Sequence, residues 1–226
     1  MMSVRDTIQK LKMELPSDVK LAAVSKFHPV DAIIEAYSAG QRIFAESRPQ
    51  ELYAKVKELD GMRDSDGNSL YPDIEWHFIG HLQTNKLKMV LPYVSLVQSV
   101  DSLHLLEAID RWGKDNARVI NVLLECHVAA EQTKQGFSEE EIRQVLTGER
   151  QYPNVKFCGL MGMATFTDDM TVVRGDFARL KHLFDEFFSP DFRELSIGMS
   201  EDYRIALEYG STMVRIGTMI FGPRVY

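Results

Sequence analysis

Basic charge is in short supply in this sequence. The 226 residues include 26 Lys and Arg against 33 Asp and Glu, a formal net charge of -7. No basic stripe breaks that balance, which excludes a nucleic-acid reading, because phosphate contacts need clustered Lys and Arg. Cysteine is scarcer still. Cys126 and Cys158 stand far apart and outside any paired-Cys motif, so neither a disulfide framework nor a zinc knuckle is expected. Both read as small buried thiols in apolar strands. Long hydrophobic runs are missing, and no apolar stretch reaches the ~18 residues that a membrane span needs. Met1–Leu15 is amphipathic and mixed in charge, without the apolar centre of a signal peptide. The expected location is therefore the cytoplasm. Short-period repeats are lacking too, as is any glycine-rich dinucleotide turn after the first apolar run.

What is present is an ordinary globular composition, 45% hydrophobic and 26% charged. Short apolar runs recur at Leu21–Ser25, Ile43–Ala45, Trp76–Ile79, Val94–Val97, Val119–Glu125, Lys156–Leu160, Glu194–Ile197 and Met213–Ile216. Each is brief and apolar on both faces, as a strand inside a parallel sheet should be. Helix-like segments separate them. Pro29–Ala39 carries Val30, Ile33, Ile34 and Tyr37 on one face and stops at Gly40. Pro49–Leu59, Ser102–Asn116, Ser138–Leu146, Thr171–Phe188 and Glu201–Tyr209 continue the series. Ser102 is a cap candidate, and Ser138 opens a capping-box pattern. Strand–helix alternation implies right-handed βαβ units. Eight of them fit a single closed (β/α)₈ TIM barrel, an α/β fold, better than an open sheet. Gly61–Pro72 is polar and aperiodic and reads as a flexible surface insertion. No domain boundary interrupts the chain, so residues 1–226 are expected to form one domain.

In such a barrel, chemistry sits at the C-terminal ends of the strands, and phosphates often bind after strands 7 and 8. Lys26 follows the first run, behind Ala22, Ala23 and Val24. A lysine leaving a dry strand can lose its proton to desolvation, and the neutral amine can form a Schiff base with an aldehyde. Taken alone, Lys26 reads more readily as a solvated strand-end cation in an ion pair. Ser200, Gly217 and Thr218 follow runs 7 and 8. Their small side chains let backbone N–H groups approach an anion, and Ser200 is placed to cap the next helix. Ordinary turn chemistry explains each separately. His77 and His81 flank a strand end, where helical His-pair geometry does not apply and no third ligand is apparent, so no metal is expected. Met161 and Met163 read as pocket lining.

Five ordered stretches carry a further pattern. They are Leu21-Ala22-Ala23-Val24-Ser25-Lys26, Trp76 to Lys86, Gly159-Leu160-Met161-Gly162-Met163, Leu195 to Ser200, and Gly210 to Thr218 with Ile220-Phe221-Gly222. Together they resemble the pyridoxal phosphate homeostasis protein family, whose barrel is similar to the N-terminal domain of alanine racemase. The resemblance spans Leu21 to Arg224. It implies that Lys26 is the Schiff-base lysine, which holds pyridoxal 5′-phosphate (PLP) covalently. It also implies that Ser200, Gly217 and Thr218 cradle the phosphate, that Arg215 faces the pyridine nitrogen, and that His77, Ile79 and Met163 line the pocket. Ser47 falls in the cofactor region, where the family commonly has Phe-Gly-Glu-Asn and this chain has Phe44-Ala45-Glu46-Ser47. Serine is shorter than the amide it replaces. His81 stands where the family often has Pro.

A bound cofactor need not make an enzyme. An arginine cannot accept the proton that a cationic pyridine nitrogen would offer, so Arg215 weakens the electron sink. Racemization also needs a second acid/base, and the resemblance implies that the domain supplying it is absent. Tyr203, Tyr209 and Tyr226 are substitutes by residue type only. The expected function is a non-catalytic PLP carrier or buffer in vitamin B6 and amino-acid homeostasis. Apo-enzymes that need the cofactor are candidate acceptors, and the expected state is a monomer. Two alternatives stay open: a low-activity amino-acid racemase or lyase, and a barrel that binds an unrelated phosphorylated ligand without a covalent bond.

Overall fold

Strand pairing closes on itself. In the computed structural model, which describes residues 2–129 and 135–223, the strands pair in the order β1 to β8, with β8 returning to β1 in a closed parallel barrel. The strands are β1 (Lys20–Val24), β2 (Ile43–Glu46), β3 (Glu75–Phe78), β4 (Leu96–Val100), β5 (Ile120–Cys126), β6 (Val155–Gly162), β7 (Glu194–Ser196) and β8 (Met213–Ile216). The connecting helices are α1 (Val4–Glu14), α2 (Val30–Ser38), α3 (Pro49–Asp60), α4 (Leu87–Val90), α5 (Leu103–Asp115), α6 (Glu139–Thr147), α7 (Met170–Phe187), α8 (Tyr203–Glu208) and α9 (Thr218–Phe221). Tyr226, and Arg224 at the end of the resemblance, lie outside the described residues. No helix among those described is long and apolar enough to cross a membrane.

Alternation along each strand divides the apolar residues into two layers. Outward residues such as Leu21, Ala23, Phe44 and Phe78 pack under the helices in one large core. Inward residues, among them Ala22, Val24, Ala45, Leu123 and Met213, fill the barrel. Two bulges change this rhythm. In β6 the register jumps between Phe157 and Gly159, so Cys158 and Met161, three apart, both join the interior layer. Gly159 makes the bulge possible. Its φ is +152°, and a Cβ there would lie 1.8 Å from the Glu194 carbonyl oxygen. In β4 the shift falls between Val97 and Val100.

Sequence patterning locates the strands well, with one displacement. Met213–Ile216 is reproduced residue for residue, whereas the run expected at Val94–Val97 is a strand at Leu96–Val100. Tyr93 N–H still closes a turn onto Val90, and polar Gln98 and Ser99 are inside the barrel wall and buried. The Ser138 capping box forms as expected, with both reciprocal hydrogen bonds. Ser102 caps α5 through Leu105 N–H. The stretch Gly61–Pro72 is a built turn on the surface. Arg63 and Ser69 form an antiparallel bridge, and the Asp64 carboxylate accepts from Asp66 and Asn68 N–H. The turn at Thr84–Lys86 and α4 were not expected, because the segment is too short to show helical periodicity.

Candidate functional site

Lys26 lies in the turn that leaves β1 at the C-terminal end of the barrel, and it is half-buried. Its neighbours on both sides are held. Ser25 is fully buried, and its hydroxyl donates to Glu46 Oε1 at 2.6 Å. Phe27 adopts φ 67°, a left-handed conformation that bulky residues avoid, and its N–H donates to Glu51 Oε1 at 2.6 Å. Lys55 Nζ, buried, reaches Ser25 O at 2.8 Å and Glu46 and Glu51 at 2.7 Å each. Burial pushes the Glu46 carboxyl above its ordinary pKa, against the pull of Lys55 and Ser25. Below the turn, Val24, Ala45, Ile79, Met161 and Met163 belong to the apolar layer inside the barrel.

Arg215 stands on β8, which pairs directly with β1; Ala22 is its register partner. The side chain is buried, and desolvation lowers its pKa to about 10, so it remains a cation at neutral pH. One terminal nitrogen donates to Ser196 O and Oγ, and the other donates to Gly162 O at 2.9 Å. Ser196 Oγ donates to Gln98 Oε1, and Gln98 Nε2 lies 2.9 Å from His77 Nδ1. Burial lowers the His77 pKa to about 3. The neutral ring then accepts at Nδ1, which fits a chain running from Arg215 through Ser196 and Gln98 to His77.

Two acidic groups complete the barrel mouth. Glu125, buried on β5, has its pKa raised to about 7, mainly by desolvation and further by Asp101. Arg215 and His81 act in the opposite sense. Asp101 follows the β4 bulge, and its carboxylate lies 2.8 Å from His81 Nδ1 and also accepts from Ser102 Oγ.

The other expected site residues are distributed unevenly. Ile79 and Met163 pack on the interior layer near Val24. His77 lies deeper, lining a cavity of about 340 Å³ that opens at the N-terminal ends of the strands. Ser47 is half-buried just past β2, and its backbone leaves no room for a Cβ on Gly80. Gly217 follows β8, and a Cβ there would sit 3.1 Å from Val24 O, so the β1 and β8 ends approach closely. Ser200 and Thr218 are at the β7 and β8 ends, Thr218 exposed. The capping role expected of Ser200 is corrected. The helix begins later, at Tyr203, with Asp202 in the N-cap position, because the Asp202 carboxylate accepts from Met199 N–H and holds residues 199–202 as a turn.

The larger cavities lie away from Lys26 and Arg215. One is the N-terminal mouth, and another of about 490 Å³ runs between α1 and α9. The strand-end chemistry locates the site better than cavity size does, since fixed charges and small residues gather at the C-terminal mouth. Tyr203 donates to Glu14 on α1 at 2.8 Å, and Tyr209 packs on Phe177. Both therefore belong to the outer core packed under the helices. Sequence reading missed the roles of Glu125, Gln98, Ser196 and Lys55. For the first three, the available signal was a polar residue at an inward strand position.

Comparison with known proteins agrees with this geometry. The fold and strand-end lysine define a barrel of the alanine racemase, N-terminal domain class, whose family model matches residues 2–225. Within that class, the chain belongs to the pyridoxal phosphate homeostasis protein family. It is 37% identical to the pyridoxal phosphate homeostasis protein of Aquifex aeolicus (strain VF5), over 92% of this chain and 88% of the relative. It is 36% identical to the Homo sapiens protein of that name, over 99% and 85%. The structure of PipY from Synechococcus elongatus PCC7942 with PLP bound superposes with a TM-score of 0.85 at 33% identity, covering 97% of this chain and 100% of that one. An alanine racemase from Clostridium difficile 630 shares the fold at 14% identity, TM-score 0.75, over 98% of this chain and 56% of its own.

Proposed function

We propose that this protein binds PLP through a Schiff base on Lys26 and carries or buffers it, without robust catalysis. The observation that carries the reading is that Lys26, in the turn just past β1, and Arg215, on β8, belong to neighbouring, directly paired units of the barrel. The residues present fit the group. Lys26 supplies an amine for the aldehyde. Val24, Ile79 and Met163 supply an apolar seat for a flat ring. Gly217, with Ser200 and Thr218, supplies small residues and hydroxyls for the phosphate. Arg215 supplies a fixed cation for the pyridine nitrogen, held by Ser196 and Gly162.

When bound, PLP supplies an electrophilic aldehyde and an electron-withdrawing ring. The chain's own part is to present and hold. The Lys26 amine adds to the aldehyde, a C=N bond forms and water leaves; the same step in reverse releases the cofactor. Arg215 donates hydrogen bonds and accepts no proton, so it keeps the ring nitrogen unprotonated and blunts carbanion chemistry. Such a site favours reversible holding over turnover. Apo-enzymes that need PLP are the proposed acceptors, and the proposed working form is a cytoplasmic monomer of one domain.

A second reading, a weak racemase or lyase, has one observation in its favour: Glu125 is a buried carboxyl at the mouth with a pKa near neutrality. Two measurements separate the readings. The purified protein with added PLP is expected to show a visible Schiff-base band that Lys26→Ala abolishes; a colourless wild-type protein would end the Lys26 reading. Chiral analysis after incubation with L-alanine is expected to show no appreciable D-alanine. Robust turnover would instead establish the enzyme.

A further inference from the structure

One buried ionic cluster sends hydrogen bonds to both neighbours of Lys26. Lys55 Nζ donates to Ser25 O at 2.8 Å, Ser25 Oγ donates to Glu46 Oε1 at 2.6 Å, and Phe27 N–H donates to Glu51 Oε1 at 2.6 Å. Lys55 also bridges the two carboxylates. The cluster lies behind the barrel wall. Ala45 faces the interior, so Glu46, the next residue on β2, faces α3, which carries Glu51 and Lys55.

As a way to hold α3 against the barrel, this arrangement is poor. Desolvating the charges offsets most of their attraction, and apolar residues of similar volume usually do as well or better. Glu46 Oε2 adds to the cost, being buried with no hydrogen-bond partner. What the charges provide and apolar residues cannot is direction. Each bond that the cluster makes to the β1 end falls on Ser25 or Phe27. Phe27 is held at φ 67°, and the Arg48 guanidinium covers its ring at 4.3 Å. Strain that persists beside a functional residue, over-determined by its surroundings, is a mark of preorganisation.

We propose that Glu46, Lys55 and Glu51 are positioning residues for Lys26. They hold the turn at residues 25–27 in its strained form, so that Lys26 meets the cofactor in one backbone geometry. They act through the backbone and need not touch PLP. The inference rests on Lys26 being the tether.

The test uses the full chain with PLP. It reads the dissociation constant by absorbance titration, the pH midpoint of the Schiff-base band, and the unfolding temperature without PLP. Glu46→Gln combined with Lys55→Met removes both charges at nearly constant volume. Glu51→Gln, at a half-buried position, weakens the acceptor for Phe27 N–H with little folding risk. Each is expected to weaken PLP binding about tenfold, through lost preorganisation, and to move the pH midpoint, with a small change in unfolding temperature. Adding Phe27→Gly to the double variant is expected to recover much of the affinity, because glycine adopts positive φ without strain. Unchanged affinity and midpoint beside a lowered unfolding temperature would overturn the proposal and leave the cluster purely structural. Glu51→Gln decides the matter where the double variant is too unstable to purify. A Lys26→Ala protein that keeps its band would instead overturn the tether, independently of what the cluster variants do.

Discussion

A single guanidinium nitrogen of Arg215 donates to both oxygens of Ser196, at 2.7 Å to the carbonyl and 2.8 Å to the hydroxyl. The serine hydroxyl passes its own hydrogen to Gln98 at 2.7 Å. Ser196→Ala therefore removes a partner from two buried groups at once. Leaving them under-satisfied is expected to cost about 1–3 kcal/mol, read as a lower urea midpoint. It should also loosen Arg215 and weaken PLP binding, which an absorbance titration would show.

His77, at the far end of that chain, makes the fold sensitive to acid. Its ring titrates near 3 when folded because burial disfavours the imidazolium, against an ordinary value of 6.5. Between those values the unfolded chain takes up a proton that the folded chain refuses, so stability falls as pH drops through that window. Glu125 acts in the opposite sense between pH 4.5 and 7, so the His77 contribution, a decline as pH falls from 7 to 4, is read as the difference in urea midpoint between wild type and a His77 variant at each pH. His77→Gln, which does not titrate, should flatten the decline while lowering stability at pH 7.

Glu125 imposes the opposite dependence. Its carboxyl is raised from 4.5 to about 7, chiefly by desolvation. From pH 4.5 to 7 the unfolded chain loses a proton that the folded chain keeps, so stability declines over that interval and then levels. The shift corresponds to about 3 kcal/mol at full effect. Glu125→Gln is expected to unfold at a higher temperature than the wild type at pH 8, with the gap closing below pH 4.5. Thermal melts at the two pH values check this.

Gly159 is where backbone geometry leaves least freedom. Its φ is +152°, and a methyl group added there would meet the Glu194 carbonyl oxygen at 1.8 Å, so Gly159→Ala forces the β6 bulge to shift. We expect a loss of several kcal/mol, at the severe end for single substitutions. Met161 and Met163 would turn with the strand, so PLP affinity should fall further than in a surface variant of equal stability.

Features set by a few neighbouring residues were legible in the sequence. The capping box at Ser138 needs only two side chains one turn apart, and it forms as read. Lys26 at a strand end required only the apolar run before it. Features assembled from distant elements were not legible. The cluster joining Ser25, Glu46, Glu51 and Lys55 draws on β1, β2 and α3, and nothing in the spacing says that Lys55 is buried. Surface lysines on a helix look the same in one dimension. The displacement of β4 has a similar origin: Gln98 reads as the end of an apolar run until its partner Ser196, from the other side of the barrel, is in place. Ser200 looked like a cap because it precedes a helical pattern, but the Asp202 and Tyr203 N–H groups that its hydroxyl would accept donate to Met199 O instead.

The β1–β8 pairing has a consequence for how the molecule matures. Lys26 follows the first strand and Arg215 lies on the eighth, yet the two strands lie side by side. A chain still lacking β8 has the lysine without its companion cation and without Gly217, whose close approach to Val24 shapes the mouth. Under the proposed function, cofactor capture at full strength therefore waits for the seam between first and last strands to close. With Lys26 as the proposed tether, colour acquired during refolding would serve as a clock for that seam.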